Sequence, residues 1–189
     1  SGKSYAEADY SPAKMASDAA ALLAHLHISR AHVIGYSMGA RVSTFLAILH
    51  PDKVATLTLG GLGIGLVTGV GDWDPIAAAL LTDQPDLITD SRGAAFRKFA
   101  DATKSDRRAL AACISRSREL VSVEQLSKIL TPTLIAVGTK DDIAGSPHQL
   151  AALMPNAAAL DLENRDHMLA VGDRVFKRAV AELLGRYPI

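Results

Sequence analysis

Apolar positions recur along this chain with two different periods, and their alternation predicts its architecture. Ser11-Pro12 supplies a cap and a first-turn proline; Met15, Ala19, Leu22, Leu23 and Leu26 then return on one face, which predicts a helix ending near Ile28. Residues 31 to 35 form a short apolar run that predicts a buried strand. Small residues follow at once, and residues 41 to 50 carry a helical pattern stopped by Pro51. Residues 54 to 59 predict a second strand. Residues 133 to 137, bounded by Pro132 and Gly138, predict a third, of the kind found in a parallel sheet covered on both faces, and residues 157 to 162 predict a fourth. Helical patterns at about 146 to 153 and 173 to 184 follow the third and fourth strands, and the second of these helices groups Phe176, Val180, Leu183 and Leu184. Strands alternating with helices predict an α/β class with a mostly parallel sheet flanked by helices.

Residues 60 to 130 break this rhythm. A glycine-rich run (Gly60, Gly61, Gly63, Gly65, Gly69, Gly71) precedes about four short helical patterns without a convincing strand. The expected division is a core of residues 1–61 and 131–189, with residues 62–130 inserted as a small helical cap reached through a glycine hinge. The apolar stretch from 54 to 70 is too rich in glycine and threonine, and too strand-like at its start, to be read as a membrane span.

Composition removes several classes of function. The 189 residues carry 20 Lys+Arg against 20 Asp+Glu, so neither nucleic acid nor anionic lipid finds an electrostatic footprint. A hydrophobic share of 49% is enough for a buried core and far from disordered compositions. Cys113 is the only cysteine, which excludes a disulfide framework and a thiolate metal cluster and suits a reducing compartment, so a cytoplasmic location is expected. The chain opens on Ser1 with neither an initial Met nor a signal-peptide pattern, and a processed or truncated start is expected.

The chemistry begins at Gly35-Tyr36-Ser37-Met38-Gly39. This is G-x-S-x-G, a pattern that holds a serine on a strained turn between strand and helix. Chance supplies about 0.08 such pentapeptides in a chain of this composition, and the predicted strand before it and helix after it lower that further. Both glycines are expected to be required sterically, a side chain at either place colliding with the turn. A serine hydroxyl is a poor nucleophile at neutral pH and needs a base, a histidine oriented by a buried carboxylate. Of six histidines, His25 and His27 diverge on the first helix, His32 starts a strand at the end away from the elbow, His50 ends a helix, and His148 opens one in solvent. His167 follows the last strand by five residues, on a loop that leaves the same carboxyl edge of the sheet as Ser37. The acid is expected in Gly138-Thr139-Lys140-Asp141-Asp142, after the third strand; Asp141 is the shorter reach, leaving Asp142 to face solvent or cap the next turn. Asp166 is too close to His167 in sequence to orient it.

These residues together resemble the α/β-hydrolase fold family: the elbow Gly-Tyr-Ser-Met-Gly-Ala, the Gly-x-x-Asp loop, a late Asp-His, and the order Ser, Asp, His. The resemblance extends over nearly the whole chain, with Ser1-Gly2-Lys3-Ser4 similar to the tail of the family's Arg-Gly-His-Gly-x-Ser segment. It implies Ser37 as nucleophile, His167 as general base and then acid, Asp141 as orienting carboxylate, and the backbone N–H of Met38 as half of an oxyanion hole, with no cofactor and no metal. It also implies that the N-terminal part of the sheet is absent. Four strands with their connections, about 60 to 80 residues, and the loop bearing the second oxyanion donor belong upstream. A preceding segment or a second chain is therefore the expected partner that completes the sheet, and these residues alone are expected to be inactive or weak.

A serine nucleophile disfavours the aspartate-using relatives and leaves esterases, lactonases, carbon–carbon bond hydrolases, perhydrolases and acyltransferases. The resemblance places the insertion over Ser37 as a cap. Trp73, Phe96 and Phe99 in it are read first as its own packing and second as an apolar acyl pocket, and Lys104, Asp106, Arg107, Arg108, Arg116 and Arg118 as a solvated helical face. Gly2-Lys3-Ser4 also matches the end of a phosphate-binding loop, but no helix follows at once to hold the phosphate. The expected function is a serine hydrolase of small carboxylic esters or related acyl compounds, acting through an acyl-enzyme. The alternative is a non-catalytic or truncated member of the fold acting as a binding module.

Overall fold

The computed structural model describes residues 4–189; Ser1, Gly2 and Lys3, on which the two upstream resemblances rest, lie outside the described residues. In chain order the elements are α1 (Pro12–His25), β1 (Ala31–Tyr36), α2 (Met38–Leu49), β2 (Val54–Gly60), α3 (Gly65–Thr68), α4 (Asp74–Leu81), α5 (Ser91–Ala102), α6 (Arg107–Arg116), α7 (Val123–Ser127), β3 (Thr133–Gly138), α8 (Pro147–Ala151), β4 (Ala157–Leu162) and α9 (Arg174–Arg186). The four strands form one parallel sheet in the order β1-β2-β3-β4. This is an α/β fold with its sheet parallel throughout.

The interior strands explain their own burial. β2 reads Val-Ala-Thr-Leu-Thr-Leu-Gly and β3 Thr-Leu-Ile-Ala-Val-Gly, and every residue of both is buried, as a strand covered on both faces requires. β1 and β4, at the two edges, are partly exposed. The register pairs Tyr36 with Gly60, Gly60 with Ala136, and Gly138 with Leu162, so all four strands end on one edge. The loops carrying Ser37, Asp141 and His167 all leave from that edge.

The chain divides into two units. The larger, Met15–Val70 with Leu120–Ile189, holds the sheet. Within it, Ala136, Leu162, Ala170 and Phe176 form a buried cluster against which Tyr36, Leu160 and Val180 pack. The glycine run is not a hinge at its start. Gly61 N–H donates to the Ala136 carbonyl at 2.9 Å, and Gly63 and Gly65 N–H both donate to the Ala144 carbonyl, at 2.9 and 3.1 Å. A Cβ on Gly63 would enter the backbone of Gly145 and Ser146. These glycines allow two segments of main chain to touch. The stretch from 54 to 70 is β2, a bend and α3, and no described helix is long and apolar enough to cross a membrane.

The smaller unit takes Gly71–Glu119 and the amino-terminal residues through Lys14. Here α4 packs on α5 and α6. Buried Arg97 donates to the carbonyls of Ala79 (3.3 Å) and Thr82 (2.6 Å) and to Asp101 (2.8 Å). The expected solvated charged face is corrected for Asp106, Arg107 and Arg118. Arg118 lies 3.3 Å and Arg92 4.5 Å from the centroid of buried Trp73, and Arg108 sits 4.4 Å over Tyr5. Asp106 caps α6 and accepts from the Tyr5 hydroxyl, while Arg107 donates to the Thr82 carbonyl. Guanidinium groups gain from aromatic faces and carbonyls what they give up in water; Lys104, Arg108 and Arg116 are exposed as expected, Arg108 with its guanidinium over Tyr5, while Asp106, Arg107 and Arg118 are half-buried. Trp73 packs edge-on against Phe96, which is internal packing, whereas Phe99 is exposed.

Candidate active site

The turn from β1 into α2 is tighter than its predicted form, with the helix starting at Met38 rather than near residue 41. Ser37 takes φ 54° and ψ −115°, a conformation that L residues avoid. Its N–H donates to the Gly60 carbonyl at 2.8 Å, and its carbonyl accepts from Ala40 and Arg41 N–H at 3.0 and 3.3 Å. The backbone is thus held from both sides. Serine at a helix N-cap ordinarily spends its hydroxyl on the first-turn N–H groups. Ser37 makes no such bond, and its Oγ lies 2.9 Å from His167 Nε2. Of the two elbow glycines only Gly35 is required by space: a Cβ there would run into the Gly39 carbonyl and Ser43 Oγ, whereas a Cβ on Gly39 meets nothing within 4 Å among the described residues. The expectation for Gly39 is therefore corrected, because Gly39 lies within the first turn of α2 with its Cβ direction open.

His167 and Asp141 arrive from the ends of β4 and β3. His167 Nδ1 lies 2.8 Å from Asp141 Oδ2, and the Asp141 side chain is fully buried. Oδ1 of Asp141 accepts from the N–H groups of Ile143 and Ala144 at 2.9 and 3.0 Å. Burial disfavours the charged carboxylate, but the His167 hydrogen bond and those two N–H donors outweigh it and hold the carboxyl below the ordinary range. An ionised carboxylate can only accept, so the bonding pattern puts the proton on Nδ1 and leaves the Nε2 lone pair facing Ser37 Oγ. Asp142 is exposed. The two loops are laced together: Lys140 N–H donates to the Arg165 carbonyl at 3.0 Å, Asn164 N–H to Thr139 Oγ1 at 2.9 Å, and a Cβ on Gly138 would overlap the Arg165 carbonyl.

The structure thus brings together Ser37, His167 and Asp141 in one hydrogen-bonded chain, with Met38 N–H at the start of the twelve-residue helix α2 beside them. Such a chain can pass a proton from a hydroxyl to an imidazole while a buried carboxylate steadies the resulting cation. The other histidines lie elsewhere: His32 bonds Thr56 Oγ1 at 2.8 Å, His148 pairs with Asp161 at 2.7 Å on the surface, His25 and His27 are exposed, and His50 caps the end of α2. Asp166 accepts from Met168 and Leu169 N–H, ordering the turn after the histidine. Sequence reasoning missed Tyr36, whose hydroxyl donates to the His167 carbonyl at 2.5 Å. The available signal was a phenol at the variable position of the elbow whose parallel-sheet partner is one of two adjacent glycines, Gly60-Gly61.

A sequence profile described as alpha/beta hydrolase fold matches residues 1–97. The dihydrolipoyllysine-residue acetyltransferase component of the acetoin cleaving system of Pseudomonas putida is 33% identical over 168 residues, covering 79% of this chain and 44% of its own length. The chain therefore spans less than half of that relative. RutD of Pseudomonas syringae pv. syringae (strain B728a), a protein named for carbamate hydrolysis, is 28% identical over an alignment covering 96% of this chain and 78% of its own. Among solved structures, a hydrolase from Pseudomonas aeruginosa PA01 superposes with a TM-score of 0.75 at 26% identity, covering 93% of this chain and 72% of that one.

Proposed function

Since the chain belongs to the α/β-hydrolase fold family, we propose that it is a serine hydrolase of small carboxylic esters or related acyl compounds, with Ser37 as nucleophile, His167 as base and Asp141 as orienting carboxylate. The observation that carries this reading is the continuous run Ser37 Oγ to His167 Nε2 (2.9 Å) and His167 Nδ1 to Asp141 Oδ2 (2.8 Å), built on a serine whose backbone is strained. In the proposed cycle Ser37 Oγ adds to the acyl carbon as its proton passes to Nε2. The imidazolium then gives that proton to the departing alcohol oxygen, leaving an ester on Oγ. Water, deprotonated by the same imidazole, adds to that ester and releases the acid with Ser37 restored. Met38 N–H, at the positive end of α2, would donate to the oxygen that becomes negative in each addition; losing one such donor typically costs about 100-fold to 1,000-fold in rate.

Residues 62–130 are the helical insertion in this reading, and the three catalytic candidates all lie outside it. The relative named for carbamate hydrolysis adds carbamates to the acyl compounds worth testing. The experiment is labelling with a serine-directed fluorophosphonate, with the modified peptide identified by mass spectrometry, alongside turnover of p-nitrophenyl acetate, p-nitrophenyl butyrate and an aryl carbamate. Labelling confined to Ser37 and abolished in Ser37→Ala is the expected result. Absence of labelling in a folded chain, tested both as these residues and with an upstream segment attached, would end the catalytic reading and leave the binding module.

A further inference from the structure

We propose that Tyr36 is a positioning residue, holding the main chain of His167 so that the imidazole keeps its distance from Ser37. The inference rests on the catalytic reading above and adds a residue that acts through the histidine. Tyr36 directly precedes Ser37, so a single strand end carries both the hydroxyl that would react and a tether to the group that would deprotonate it. The tether is the 2.5 Å hydrogen bond from the phenol to the His167 carbonyl. With the 2.9 Å Oγ–Nε2 contact it closes a ring of covalent and hydrogen bonds through both residues. Neither can drift without breaking one of the two.

The phenol itself has little freedom. Its ring lies flat enough on Gly60 and Gly61 that a Cβ on the first would come within 2.6 Å of Cδ2, and a Cβ on the second within 2.7 Å of Cζ. Phe176 meets its edge at a centroid distance of 6.4 Å, and the His167 imidazole is tilted against it at 5.5 Å. Burial, reinforced by the charges of Asp141 and Asp166, pushes the phenol up to about 12, so it remains a donor across any working pH. Other contacts fix the flanks of the loop: Lys140 N–H on the Arg165 carbonyl before the histidine, and Asp166 on Met168 and Leu169 N–H after it. Tyr36 holds the histidine itself. Misplacing a base by about 1 Å can cost on the order of 100-fold in rate, so a single fixed carbonyl can matter without touching substrate.

The test is Tyr36→Phe, which keeps the ring and removes the donor, with Phe176→Leu as a control that loosens the packing of the ring and keeps the donor. The expected result for Tyr36→Phe is a kcat about 10-fold lower with KM within about twofold, and an acidic limb of the kcat/KM profile displaced toward lower pH as the His167–Asp141 contact slackens. The low-field Nδ1 proton of His167, read by NMR, should broaden or exchange faster. Phe176→Leu should leave kcat within about twofold. A Tyr36→Phe protein with wild-type kcat and an unchanged Nδ1 proton overturns the proposal. So does an equal loss in Phe176→Leu, or a Tyr36→Phe chain that has no melting transition, since either would make the contact one of stability alone. If the wild-type chain, with an upstream segment attached as well as without it, neither turns over ester nor labels at Ser37, the catalytic reading falls, while the Nδ1 proton still decides whether Tyr36 holds the imidazole.

Discussion

Two substitutions at Ser37 should separate the cost of its backbone from the value of its hydroxyl. A non-glycine residue at φ 54°, ψ −115° carries strain of about 1–3 kcal/mol. Ser37→Ala keeps the Cβ and that strain, and loses the Oγ–His167 hydrogen bond, worth about 0.5–1.5 kcal/mol. No helix cap is lost in addition, because the Ser37 side chain makes no capping bond. Ser37→Gly loses the same hydrogen bond and relieves the strain, against about 0.5–1 kcal/mol of extra chain entropy in the unfolded state. The glycine variant should therefore be the more stable of the two by about 1 kcal/mol, or about 2–4 °C in melting temperature for a chain of this size. Trp73, the only tryptophan, lies in the other unit, so its fluorescence is the wrong reporter. Native-state hydrogen exchange of the β2 and β3 amides reads the unit that holds Ser37. If Ser37→Ala equals or exceeds Ser37→Gly in protection, the elbow is not strained and the reasoning fails.

Asp141→Asn should lower kcat by about 10⁴-fold, while Asp142→Asn at the exposed neighbour stays within about twofold, a contrast read in steady-state ester hydrolysis. Because the Asp141 carboxyl is held below its ordinary value of about 3.9, its contribution to stability is complete above that pH and is lost as pH falls through the depressed value. Urea titrations below pH 4 should accordingly show wild-type stability falling more steeply than that of Asp141→Asn. Gly35→Ala should cost about 1–3 kcal/mol or more, since the Gly39 carbonyl and Ser43 leave no room; Gly39→Ala, in an open helical position, should be neutral or stabilising by up to about 1 kcal/mol, with thermal melts of the pair deciding.

Where a feature depends on nearby residues, it could be read from the chain. The apolar runs of β2 and β3 announce strands buried on both faces, and Gly35 with Ser37 announces a turn whose geometry only certain residues tolerate. His167 was legible because a parallel sheet sends all its carboxyl-end loops to one edge. The start of α2 was less so, since Met38-Gly39-Ala40 carries no apolar period to mark a helix, and the helix begins there because the Ser37 carbonyl accepts the first bonds. The burial of Asp141 against the exposure of Asp142 was not legible, since the Asp141 carboxylate is enclosed by His167, 26 residues on, and by the N–H groups of Ile143 and Ala144 only once the two loops have met. Arg108 on Tyr5 and Tyr36 on the His167 carbonyl are invisible for the same reason, being pairings between residues far apart in sequence whose chemistry is satisfied only after folding.

The parallel pairing of β2 with β3 requires a crossover in any case, and residues 61 to 132 supply it, with the Gly71–Glu119 part of the smaller unit inside it. The entropy of closing such a connection grows only with the logarithm of its length, about 0.6 kcal/mol for each doubling. Exchanging or resizing Gly71–Glu119 therefore asks little of the sheet, and it leaves Ser37, Asp141 and His167 in place. In this architecture the part that can vary and the part that must not are separated by the order of the strands, so new selectivity can be tried without rebuilding the chemistry.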